Sequence, residues 1–264
     1  MVKSVSQRVI FLNLIFMIFS FLVANAQGNE KNLKVEYIYA NDFFSNIEVL
    51  LANDKKSIYI RPALNVKRDE SKEPTEDDGN WKLPLQEIKT SSISIFKSKE
   101  DSNIYDYTVN LNNERYIVKD STFSIKWIID KSVSKKINEF LCFKASTIFR
   151  GRSYIAYFTP EIPISFGPFK FDNLPGLVLQ VENTDTDIKH SWTAKKIDWV
   201  NKNKELPSIE DLDAPAINLY QIYIMNNRIR EAKSKRFSSR VPAGVKHSKT
   251  EVKNLAIEKT FEWN

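Results

Sequence analysis

The sequence predicts an α+β fold, mainly one antiparallel β-sheet able to curve as a half-barrel, with a C-terminal helix. Three observations carry this. Apolar and polar residues alternate with period two along the first half of the chain. Short polar turns separate the apolar runs, without the strand–helix alternation of a parallel α/β protein and without an internal repeat. One longer apolar run near the C-terminus follows proline and acidic residues, as helices begin.

The elements follow in chain order. Val35, Tyr37 and Tyr39 alternate with Lys34, Glu36 and Ile38, which predicts a strand. Residues 47–51 and 57–60 flank Asn53-Asp54-Lys55-Lys56, a turn-prone tetrad that predicts a hairpin. Residues 62–86 break the pattern. Asp69, Glu70, Glu73, Glu76, Asp77 and Asp78 against Lys72 read as a solvated acidic loop, and they lack the spacing of a helix–loop–helix calcium site. Strands are predicted again at 93–96, 105–109, 115–118 and 123–129. Ile217–Ile229 is predicted helical, with Ile217, Tyr220 and Ile224 on one face, although Tyr220, Ile222 and Ile224 also alternate as in a strand. Residues 228–253 hold nine Lys or Arg against Glu231 and Glu251, so the chain ends in a basic tail.

The first 26 residues have their own logic. Lys3 and Arg8 precede an apolar run, Val9–Val23, and then Ala24-Asn25-Ala26. This is the pattern of a secretory signal peptide cleaved after Ala26, leaving a single domain over 27–264 in the periplasm or outside the cell. No cysteine lies near the cleavage site to carry a lipid. No later run approaches the roughly 20 residues of a membrane-spanning helix.

Composition removes several chemistries. Of 264 residues only His190 and His247 are histidines and only Cys142 is a cysteine. Cysteine-based zinc sites and a disulfide framework are excluded. Neither a phosphate-binding G-x-x-x-x-G-K-[ST] loop nor G-x-G-x-x-G occurs, so no nucleotide cofactor is expected. Removing Lys3 and Arg8 takes the net charge from +6 to +4, and the excess sits in the tail. Nucleic acid is therefore not an expected partner, while the tail could touch anionic surfaces or be only a solvated charged face. Cys142 lies in Phe140-Leu141-Cys142-Phe143 and reads as a small core residue. His190, in Lys189-His190-Ser191-Trp192, reads as a half-exposed strand residue and His247 as a surface one.

One segment is not generic. Residues 151–176 hold three of the six glycines (Gly151, Gly167, Gly176) and four of the ten prolines (Pro160, Pro163, Pro168, Pro175). So dense a set of backbone-shaping residues implies a demanding chain path. Arg150-Gly151-Arg152 predicts a turn. Ser153–Thr159 then predicts a strand with Tyr154, Ala156 and Phe158 on one side. Pro160 and Pro163 remove two ladder donors, so the chain leaves the sheet or runs along its edge, where a partner strand could pair. Phe169–Phe171 predicts a second extended piece. Leu174-Pro175-Gly176-Leu177 predicts a type II turn, and Val178–Glu182 a buried strand.

The run Phe149-Arg150-Gly151-Arg152-Ser153-Tyr154-Ile155-Ala156-Tyr157-Phe158-Thr159-Pro160-Glu161-Ile162-Pro163-Ile164, with Gly167-Pro168-Phe169-Lys170-Phe171 and Asn173-Leu174-Pro175-Gly176-Leu177-Val178, closely resembles the GLPGLI family of exported Bacteroidota proteins. The match covers about 142–182. Asn173 stands for the first glycine of the namesake hexapeptide and Val178 for its last isoleucine; asparagine tolerates left-handed backbone, so the turn is expected to survive. The resemblance implies export but no activity, the family being one of unknown function. Some members are encoded near TonB-dependent receptors. In layout the chain also resembles periplasmic half-barrel carriers of lipoproteins.

Two functions follow as expectations. A non-catalytic envelope protein would bind a protein partner or an apolar ligand through a surface made of Arg150, Gly151, Arg152, Tyr154, Tyr157, Glu161, Pro163, Gly167, Pro168, Phe171, Asn173, Leu174, Pro175, Gly176 and Leu177. No catalytic residue, metal or cofactor belongs to this reading. The alternative is a hydrolase with Glu161 and Asp172 as acid and base. Against it, Glu161, Asp172 and Glu182 are expected to be structural ion-pair partners of Arg150, Arg152 or Lys170.

Overall fold

A computed structural model describes residues 31–66, 75–77, 80–82, 88–101, 105–111, 114–121, 125–201, 206–238 and 257–261. The signal-like segment, most of the acidic loop, His247 and the tail from 239 to 253 lie outside the described residues.

Among the described residues sixteen strands run in chain order. They are β1 (Lys31–Asn41), β2 (Ser45–Ala52), β3 (Lys56–Arg61), β4 (Leu64–Val66), β5 (Thr75–Asp77), β6 (Asn80–Lys82), β7 (Ile88–Thr90), β8 (Ile93–Ser98), β9 (Tyr105–Leu111), β10 (Glu114–Asp120), β11 (Ile128–Ile137), β12 (Phe140–Phe149), β13 (Arg152–Thr159), β14 (Leu177–Asn183), β15 (His190–Asn201) and β16 (Ala216–Asn218). Twelve form one open sheet in the order β11-β12-β13-β14-β15-β1-β2-β3-β8-β9-β10-β16. Every neighbouring pair is antiparallel except β10–β16, which is parallel. The predicted fold class holds: a mainly antiparallel sheet and, among the described residues, one α-helix, α1 (Leu219–Ser238).

Alternation decides which face is buried. Leu33, Val35, Tyr37 and Tyr39 of β1 turn inward with Tyr154, Ala156 and Phe158 of β13 and Trp192 and Ala194 of β15. Segment 160–176 leaves the ladder after Thr159, as its prolines require, and lies against this inner face. Phe171 packs on Tyr154 (ring centroids 4.7 Å) and on Trp192 (5.4 Å), and Tyr37 donates to the Val178 carbonyl at 2.7 Å. The interior is thus filled by the chain's own kinked ribbon.

Several local expectations need correction. The strand expected at 123–129 starts at Ile128 and runs to Ile137, and β11 and β12 together form a hairpin that the polar run Asp130–Lys136 hid. Within 62–86 the described residues include β4, which pairs with β7 just beyond, and the short ladder β5–β6, rather than loop alone. The acidic residues after Pro207 form a separate 3₁₀ turn, Ile209–Asp211. The helix starts at Leu219, where Asn218 Oδ1 accepts from the Gln221 N–H (2.8 Å) and Gln221 Oε1 from the Asn218 N–H (3.1 Å), a reciprocal cap. Among its described side chains the buried ones are Leu219 and Ile222, set on Leu111 and Val118, while Tyr220 is exposed. The predicted face of Ile217, Tyr220 and Ile224 is therefore rotated.

Candidate functional site

The two arginines of the motif sit at the β12–β13 turn. Arg150 (φ +43°) and Gly151 (φ +78°) are its central residues, and Phe149 pairs with Arg152, so this is a two-residue hairpin with left-handed backbone at both positions. Arg150 is buried and clamps Asp120 at two points, Nη1 to Oδ2 at 2.9 Å and Nη2 to Oδ1 at 2.8 Å. Lys170 Nζ reaches the same carboxylate at 2.7 Å. Glu258 accepts from Arg150 Nη1 (2.5 Å) and Lys170 Nζ (3.0 Å). These two cations hold the Asp120 carboxyl well below the usual carboxylate range, against the opposing effect of burial. Arg152, also buried, donates from Nη1 to Asp187 (2.8 Å) and Asp185 (3.1 Å), both of which also meet Lys259.

A C-terminal strap, residues 257–261, completes the cluster. The Lys259 and Thr260 N–H groups both donate to the Arg150 carbonyl, at 2.9 and 3.2 Å, and Tyr154 Oη donates to the Ile257 carbonyl at 3.0 Å. The strap carries Glu258, whose distance in sequence from the motif hid it.

The motif's carboxylates are placed otherwise than expected. Asp172 is 3 % exposed; its Oδ1 accepts from Tyr105 (2.7 Å) and Asn173 (2.8 Å), and Lys97 Nζ stands 3.7 Å from Oδ2. Burial pushes its carboxyl up to about 6. Glu161 is exposed and accepts from the Leu141 N–H at 2.9 Å, replacing the ladder bond lost where β13 ends. Glu182 is half-buried on β14. Arg150, Arg152 and Lys170 instead pair with acids outside the motif, which corrects the expected pairing. His190 is 1 % exposed rather than half-exposed, because its β15 neighbours bring it under Tyr39; Nδ1 lies 2.8 Å from Tyr39 Oη.

The backbone devices differ in detail. Pro168 to Phe171 is a tight turn closed by the Phe171 N–H on the Pro168 carbonyl (3.0 Å), with Phe169 at φ +54°, not an extended piece. At Leu174–Leu177 the Gly176 N–H donates to the Leu174 carbonyl (2.8 Å), a three-residue turn at Pro175 in place of type II, and Leu177 N–H goes to Ile162 O. Asn173 takes φ +65°, as its substitution for glycine required.

Among the expected site residues, Arg150, Arg152, Tyr154, Gly167, Pro168, Phe171, Leu174, Gly176 and Leu177 are buried. Gly151, Glu161, Pro163, Asn173 and Pro175 are exposed, and Tyr157 is half-buried with Lys135 Nζ 3.6 Å from its ring centroid. The motif therefore builds the core and presents only a rim. Beside that rim lies the outer strand β11 and its partner β12, whose exposed apolar side chains, Ile128, Ile129, Val133, Leu141 and Ile148, sequence reading missed. Alternation in β12 and β13 could have placed Ile148 on the outer face.

On the inner side a cleft of about 220 Å³ opens between the Phe169–Lys170 turn, the strap and strands β3, β8 and β9. Neither Glu161 nor Asp172 lines it. Among the described residues no group of three or more His, Cys, Asp and Glu could hold a metal ion, and no helix is long and apolar enough to cross a membrane.

No protein-family model and no curated protein matches the chain. Solved structures do. The structures of PNGF-II in two space groups, C2 and P2₁, superpose with a TM-score of 0.50 at 15 % identity over 74 % of this chain. The likeness is one of fold. This chain covers 32 % of the PNGF-II chain in one and 33 % in the other, about a third of its length.

Proposed function

We propose that this chain is an exported, non-catalytic envelope protein of the GLPGLI kind that docks a protein partner on the outer face of the β11–β12 ribbon beside the motif's exposed rim. One observation carries the reading. Among the described large apolar side chains, Ile128 (73 %) on β11 and Ile148 (71 %) on β12 are the most exposed. They are neighbours: Ile128 faces Ser146, two residues from Ile148 on the same face. A concentration of this kind marks an interaction surface, whereas scattered apolar residues do not. Lys131 and Lys136 are exposed along β11 and Glu139 and Glu161 beside them, so a partner surface with an apolar centre and a polar rim of both signs fits best. The rival reading, hydrolysis by Glu161 and Asp172, has less support because Asp172 is enclosed by Tyr105, Asn173 and Lys97.

A photo-crosslinking amino acid at position 148, activated in intact envelopes, tests the proposal. It should capture one discrete species, lost in Ile128→Asp while the thermal midpoint is unchanged. Capture that survives Ile128→Asp overturns it.

A further inference from the structure

We infer that the inner cleft binds a small, uncharged, largely apolar molecule that gives one acceptor oxygen to Arg61. The inference is independent of the partner surface, which lies on the outer face.

The walls are mostly hydrocarbon: Ile93, Ile95, Tyr107, Phe169, Ile257 and Phe261. Three charged side chains join them, and their hydrogen bonds define what the site lacks. Lys170 Nζ already has Asp120 at 2.7 Å and Glu258 at 3.0 and 3.2 Å. Glu258 already accepts from Arg150 and Lys170. Arg61 donates from Nε to Glu48 at 2.6 Å, and Glu48 is further occupied by Tyr59 and by Trp192 Nε1 at 3.0 Å. Arg61 Nη2, by contrast, is buried and has no acceptor. A buried donor on a charged group without an acceptor is unfavourable, so a ligand that supplies one oxygen gains that interaction on binding.

Charge selects the class. The cations Arg61, Arg150 and Lys170 are matched by the acids Glu48, Asp120 and Glu258. A carboxylate or phosphate would add an uncompensated charge to a balanced, desolvated cluster, whereas a ketone, amide or alcohol would not. The route is also defined. The Arg61 Cζ lies over the ring of Tyr39 (5.3 Å to the centroid) and over that of Phe169 (5.5 Å). Tyr39 is core, but Phe169 is half-buried at the tip of its turn and lines the cleft, so the acceptor enters by displacing that ring. Size fits a single ring: a cavity of about 150 Å³ accommodates benzene, and the 220 Å³ here leaves space for a few more heavy atoms.

Titration of the full chain with acetophenone, ethylbenzene and benzoate, followed by calorimetry and ligand-observed NMR, tests this. Acetophenone should saturate, and ethylbenzene and benzoate should each bind at least about tenfold more weakly. Arg61→Met should bring acetophenone down to the level of ethylbenzene. Because that change leaves Glu48 buried without its cation, Ile93→Trp serves as a second variant that fills the cleft and should abolish binding with the fold retained. Absence of saturable acetophenone binding, binding of ethylbenzene or benzoate as tight as acetophenone, acetophenone binding unchanged in Arg61→Met, or binding undiminished in Ile93→Trp overturns the inference.

Discussion

Arg150 and Asp120 join strands from opposite ends of the open sheet. Arg150 follows β12, second from one edge, and Asp120 closes β10, second from the other, yet their side chains meet in two bonds of 2.9 and 2.8 Å. The sheet must therefore curl until its ends approach, and the clamp, with Lys170 and the strap's Glu258, spans the remaining gap. Removing one partner of a buried pair leaves the other charge uncompensated. Asp120→Ala should lower unfolding free energy by about 3–5 kcal/mol, measured by denaturant titration; a loss within the scatter of surface mutants would show that the clamp is not what holds the curl.

Gly176 should be irreplaceable for a different reason. Its φ is +145°, and a Cβ there would stand 2.0 Å from the Thr159 carbonyl oxygen. Gly176→Ala meets both backbone strain and a clash with backbone, so it should cost more than about 2 kcal/mol. Pro175→Ala next to it, exposed and donating nothing, should cost under about 1 kcal/mol. Thermal midpoints of the two variants measured side by side decide the matter.

Sequence made much of this fold legible and little of its site. Alternation at Val35, Tyr37 and Tyr39, and at Tyr154, Ala156 and Phe158, is a local signal that placed each set in a strand, and the structure turns both sets inward. The turn at Arg150–Gly151 and the left-handed Asn173 were equally local. What failed was non-local. Nothing adjacent to Arg150 announces Asp120, 30 residues earlier, or Glu258, 108 residues later. Most of the β11 strand was hidden because the run Asp130–Lys136 is polar on both faces apart from Val133 and its register shifts between Asp130 and Ser134, so no alternation marks it. His190 reads as polar and half-exposed until Tyr39, 151 residues away, covers it.

Core and surface apolar residues should respond very differently to truncation. Phe171 is fully buried against Tyr154, Phe149 and Trp192. Phe171→Ala should cost about 3–5 kcal/mol through lost burial and the cavity left behind. Ile148→Ser, at an exposed position, should change stability by less than about 0.5 kcal/mol. A large loss at Ile148 would mean that this side chain is covered within the folded chain and is not free to meet a partner.

Cys142 should be silent in the native state. Its side chain is fully buried, and burial raises the thiol to about 11, so almost no thiolate exists at neutral pH. A thiol-reactive chromophore should label it only at the rate of unfolding, with full reactivity in denaturant. Rapid labelling of the native chain would contradict the burial.

Two buried groups should give the stability a pH dependence of opposing signs. Burial, aided by the positive charges of Arg152 and Arg61, lowers His190 to about 4 from an ordinary value near 6.5. Between those values the unfolded chain binds a proton that the folded one refuses, so this contribution is complete above about 6.5 and is lost as pH falls through 4. Asp172, raised to about 6 by burial, does the reverse: the folded state keeps its proton longer, so its contribution is complete below the ordinary value near 3.9 and is lost as pH rises through 6. Denaturant midpoints taken from pH 4 to 7 should therefore rise less with pH in His190→Gln than in the parent chain, and rise more in Asp172→Asn. If His190→Gln follows the parent curve at every pH, the imidazole is not held neutral beneath Tyr39, and the buried position of His190 is wrong.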